Sequence, residues 1–116
     1  MRYILFVCTT PDPHTPADPS SVPDIDTWVE EQDRRGTRTD GDVLASAAQA
    51  KTVRVRDGRM LITDGPFAET KEQIAGFNLL ECETLGDALA IAASHPMAHS
   101  HLIEVRPFHD WSAGNP

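Results

Sequence analysis

The chain has 116 residues and a formal net charge of −8, with eight arginines and two lysines against 18 acidic residues. That length suits one domain with a single core, and the acidic balance speaks against the broad basic footprint of a nucleic-acid binder. No charged-then-apolar leader opens the sequence and no apolar run approaches the roughly 20 residues needed to span a bilayer, so the expectation is a cytoplasmic protein without a membrane partner.

"RYILFVC" is an apolar, β-rich run and predicts the first strand. It is followed by "TTPDPHTPADPSSVPD", whose five prolines forbid regular structure and mark a long loop. From about Asp24 the pattern turns helical. Ile25, Trp28, Val29 and Gln32 share one face, acidic residues come early, Arg34 and Arg35 come late, and Gly36 ends the helix. "GDVLASAAQA" reads as a short strand followed by a loop, although its alanines would also suit a helix.

In "KTVRVRDGRMLIT", Val53 and Val55 alternate with Thr52, Arg54 and Arg56, and Asp57-Gly58 supplies a two-residue hairpin turn before a second apolar strand. "GFNLLECE" reads as a strand near the sheet centre. Thr84 caps a second helix, Asp87 completes a capping box, and Leu85, Ala88, Leu89 and Ala92 form its apolar stripe. His95-Pro96 ends that helix, "HLIEVRPF" is the last strand, and residues 109–116 are a tail to a single domain spanning 1–108.

This order predicts an α+β fold: a ferredoxin-like antiparallel sheet with two helices on one face. The other sheet face is left bare, and a bare apolar face calls for a partner, so the expected partner is a second copy in a homodimer.

The stretch "TDGPFAETKEQIAGF" carries the candidate chemistry. Gly65-Pro66 breaks the strand, because the residue before proline is pushed out of the α region and proline donates no amide. Phe67 would brace the break and present Glu69, Lys71 and Glu72 from a held loop. Asp64 would serve as a general base if burial raised its pKa, or would accept hydrogen bonds from turn amides. Glu69, Lys71 and Glu72 would line a pocket for a small acidic ligand, with Lys71 as the cation, or would form ion pairs with Arg54 or Arg106. Glu104 and Arg106 share one strand face and would pair or contact the ligand.

His99 and His101 form H-x-H near His95 and His109, but no carboxylate or cysteine stands at a ligand-like spacing, so the cluster reads as solvated. Cys8 and Cys82 sit in apolar runs without C-x-x-C spacing and read as packing residues. No phosphate-cradling glycine loop occurs, and no cofactor is expected.

"VRDGRMLITDGPFAETKEQIAGFNLLE", "DALAIAASHP" and "IEVRPF", in that order between Gly36 and Phe108, resemble the DGPF-type branch of the YCII-related family. The resemblance implies a dimeric, α/β barrel-like assembly in which two sheets face one another and leave a pocket. It also implies an association with extracytoplasmic-function sigma factors, in a branch where most members lack an assigned reaction. One enzyme of the wider family eliminates chloride from a chlorinated hydroxymuconate with a His-Asp pair whose histidine lies on the first helix. Here that helix, "DIDTWVEEQDRRG", has no histidine, and His14 lies in the loop before it. The expected function is therefore a dimeric ligand-binding or regulatory module linked to a sigma factor. The alternative is an acid-base lyase or isomerase acting on a small acidic metabolite.

Overall fold

A computed structural model describes residues 1–66 and 71–113. Its strands and helices run β1 (Arg2–Thr9), α1 (Ile25–Arg35), β2 (Arg38–Val43), β3 (Lys51–Arg56), β4 (Arg59–Asp64), β5 (Gln73–Glu81), α2 (Leu85–Ala93) and β6 (Leu102–Pro107).

Four strands form one antiparallel sheet in the order β2-β5-β1-β6, while β3 and β4 pair only with each other. Without that hairpin the order is the split βαββαβ arrangement of a ferredoxin-like fold. The register sets the two faces. Tyr3, Leu5 and Val7 stand opposite Leu80, Asn78 and Gly76 on the side the helices cover, whereas Ile4 and Phe6 stand opposite Leu79 and Phe77 on the open side.

The core lies under the helices and gathers Tyr3, Leu5, Trp28, Leu80, Ala88 and Ala92, with Ile103 and Val105 packed against it. Leu5 is wholly buried. Trp28 anchors α1 to α2 by donating from Nε1 to Ser94 Oγ at 2.8 Å, so its polar tip is satisfied inside the core.

Both helices start as the sequence predicts. The Asp24 side chain accepts from Thr27 N at 3.1 Å, Gly36 closes α1 at φ +74, and Thr84 and Asp87 bond each other reciprocally in a capping box. Asp57 and Gly58 both take positive φ, as a tight hairpin turn with matching twist requires.

One boundary differs from the sequence reading. β2 begins at Arg38, three residues before Gly41. Its residues are mostly polar because it is an edge strand, so no apolar alternation announces it. Among the described residues no helix is long and apolar enough to cross a membrane. The radius of gyration is 16.7 Å, whereas a compact chain of this length has about 13 Å. The hairpin, which pairs with no strand of the sheet, fits this extension.

Candidate functional site

A cavity of about 390 Å³ opens between α1, the β2–β5 edge and the turn after α2. Val7, Val29 and Met97 give it apolar walls, and Asp26, Arg38, Asp42, Asn78 and His95 are its polar and charged border.

His95 is 3% exposed. Its ring meets the Trp28 indole edge-on, with centroids 4.6 Å apart. Nδ1 accepts the Met97 amide at 3.0 Å, which places the proton of the neutral ring on Nε2. Nε2 has no protein partner. Because every fully buried polar side-chain atom among the described residues is partnered, Nε2 keeps some accessible surface as a free donor on a residue that lines the cavity. Burial lowers the pKa of His95 to about 4, so the ring is neutral at physiological pH.

Arg38 is held by three bonds. Nε donates to Asn78 Oδ1 at 2.9 Å, Nη1 to Asp33 Oδ1 at 2.9 Å, and Nη2 to the Gly41 carbonyl at 3.0 Å. A guanidinium has five N–H groups, so two remain for a ligand. The same packing requires glycine at position 41, where a Cβ would lie 2.6 Å from Asn78 Oδ1 and 2.7 Å from the Phe77 carbonyl oxygen. Gly76 is similarly tight, 2.9 Å from the Asp42 carbonyl oxygen.

Chemically, this is a recess with apolar walls, one neutral imidazole and one fixed cation, with Asp26 and Asp42 also at its border.

A second cavity of about 430 Å³ adjoins the start of β5, where Leu44, Ala47, Pro66, Glu72 and Ile74 border it. Of the charged residues singled out from sequence that are among the described residues, only Glu72 borders either cavity. Lys71 is exposed, and Glu69 and the brace Phe67 lie outside the described residues. Asp64 ends β4 in solvent, paired with Lys51 across the hairpin. Arg54 stands exposed on β3 opposite Leu61 and has no ion-pair partner among the described residues. Arg106 pairs with Glu104 at 2.7 Å and lies over the Phe6 ring on the open sheet face. Within one chain, the described residues Arg54, Asp64, Lys71, Glu72 and Arg106 do not border a common cavity.

The histidine cluster resolves into local bonds. His101 Nδ1 accepts from Thr10 N at 3.0 Å, His99 Nε2 meets the Ala93 carbonyl at 3.0 Å, and His109 stacks edge-on with Trp111. Among the described residues no three His, Cys, Asp or Glu side chains gather to hold a metal ion. Burial pushes both thiols up, so Cys8 and Cys82 stay protonated.

The sequence reading did not single out His95 and Arg38 as a pair. In sequence His95 ends a helix and belongs to a histidine cluster that reads as solvated, whereas the fold buries it, and Arg38 falls between predicted elements. A histidine directly after an apolar helix and before Pro96 was the available signal, because such a residue is turned back toward the core.

A curated protein of Rhizobium meliloti (strain 1021), "Uncharacterized protein R00369", is 43% identical over 68 residues, which cover 55% of this chain and 53% of that protein. The chain thus spans about half the length of this curated relative. The model of the YCII-related domain matches residues 1–112. With nearly the whole chain matched and a ferredoxin-like sheet bearing both helices on one face, the protein belongs to the YCII-related domain family.

Proposed function

We propose that this protein is a homodimeric module that binds a small carboxylate-bearing metabolite in the cavity beneath α1. The observation that carries the reading is the pair of unspent donors, His95 Nε2–H and the Arg38 guanidinium, bordering one apolar recess. Arg38 is already held by three bonds, so little ordering cost remains when it meets an anion. Support for the second copy comes from the open sheet face, where Ile4, Phe6, Phe77 and Leu79 are only half-buried and no helix or strand among the described residues covers them.

Thermal-shift screening against small mono- and dicarboxylates tests the binding. A ligand should raise the melting temperature of the wild type, and His95→Phe and Arg38→Met should each lose at least tenfold in affinity. A ligand whose affinity neither substitution alters would refute the site. The sigma-factor link rests on the DGPF-type resemblance, and co-purification with and without that ligand tests it.

A second reading, an acid-base lyase or isomerase, is favoured by one observation: Glu72 borders the larger cavity. It requires that Glu72→Gln abolish turnover of a small acidic metabolite while binding persists.

A further inference from the structure

We infer that the β3–β4 hairpin is an arm that lies across the open sheet face of a second copy of this chain. The inference rests on the homodimer proposed above and specifies how that dimer is closed.

The hairpin presents an apolar face to solvent. Register sets Val53 opposite Ile62 and Val55 opposite Met60, and all four are between 55% and 66% exposed. A two-stranded ribbon is marginal in water by itself, and this one pairs with no other strand. Its base is nevertheless fixed. Gly65 N donates to the Ala50 carbonyl at 2.8 Å, Thr52 Oγ1 donates to the Gly65 carbonyl at 2.9 Å, and Lys51 pairs with Asp64. The apolar face is therefore aimed in one direction and left uncovered by its own chain.

Charge identifies the occupant. Four of the ten basic residues, Lys51, Arg54, Arg56 and Arg59, lie on the hairpin with only Asp57 and Asp64 against them. It thus carries two net positive charges, and the rest of the chain carries ten net negative ones. Like bodies repel and like arms repel, so the attractive encounter between copies is arm to body. The matching surface is the open sheet face: Phe77 and Leu79 form an apolar strip there, and Asp42 and Asp40 stand opposite them on the neighbouring edge strand. Six residues of strand reach roughly 20 Å, enough to lie along those positions. A two-fold axis makes the exchange reciprocal, with two arms and two faces.

Sedimentation equilibrium tests the arm with three proteins: the wild type, the quadruple variant Val53→Ser, Val55→Ser, Met60→Ser and Ile62→Ser, and the charge reversal Asp40→Lys with Asp42→Lys. The quadruple variant should raise the dimer dissociation constant at least a hundredfold with unchanged circular dichroism and Trp28 emission. The reversal should weaken association about tenfold at low salt, and adding Arg54→Glu, Arg56→Glu and Arg59→Glu should restore it. Hydrogen exchange gives a readout that needs no variant, since β3 and β4 amides should lose protection on dilution of the wild type. A wild type that is monomeric throughout would overturn both the dimer and the arm. A dimer whose dissociation is unchanged in the quadruple variant, with hairpin exchange independent of concentration, would overturn the arm and leave the dimer standing. Hairpin-dependent binding to anionic vesicles or duplex DNA with dimerisation unaffected would also overturn it.

Discussion

β1–β5 and β3–β4 are both antiparallel pairs with alternating apolar residues, yet they end in opposite environments. In the first pair Tyr3 and Leu5 lie beneath two helices and are buried. In the second, Val55 and Met60 stand in solvent. Alternation therefore assigns a side chain to a face of the sheet, and only what lies over that face decides whether it is buried.

The comparison can be broken most forcefully at Leu5. Leu5→Ala should cost about 2–5 kcal/mol in urea unfolding, whereas Val55→Ala should cost less than about 0.5 kcal/mol at concentrations where the chain is monomeric. Similar losses at both sites would mean that the arm is packed within its own chain.

The covered side should also respond to pH through His95. Burial holds the folded ring near pH 4, below its unfolded value of 6.5, so the unfolded chain takes up the proton first. Stability from this source is full above pH 6.5 and is lost as pH falls toward 4, by on the order of 2–3 kcal/mol. Denaturation across that window should be steeper for the wild type than for His95→Gln.

Gly41→Ala sharpens the contrast at the sheet edge. Its new Cβ meets the Asn78 side chain and the Phe77 carbonyl, and the crowding should cost about 1–3 kcal/mol and loosen Arg38. Chemical denaturation together with carboxylate binding reports both effects. Thr84→Ala should cost about 1 kcal/mol, because it removes one half of the α2 capping box. A thermal melt suffices to detect it.

Much of the frame was legible in the residues. Asp24, Gly36, Thr84 with Asp87, and Asp57-Gly58 all sit where the pattern placed them, since each acts through bonds within a few residues. β2 was legible only in part, because an edge strand carrying Arg38, Asp40 and Asp42 lacks the apolar alternation that marks a strand. The candidate recess was not legible. The charged stretch around Lys71 drew notice by composition, whereas the recess is made by Arg38 and His95, two residues 57 positions apart that look unremarkable alone.

Local order thus belongs to the amino acids themselves: caps, turns and strand faces follow from short-range sterics and hydrogen bonds that no distant residue can alter. The recess, the neutral state of His95 and the uncovered arm belong to the assembled fold. Each depends on which surfaces the β2-β5-β1-β6 order brings together, and water is excluded from a group only when chain from elsewhere closes over it.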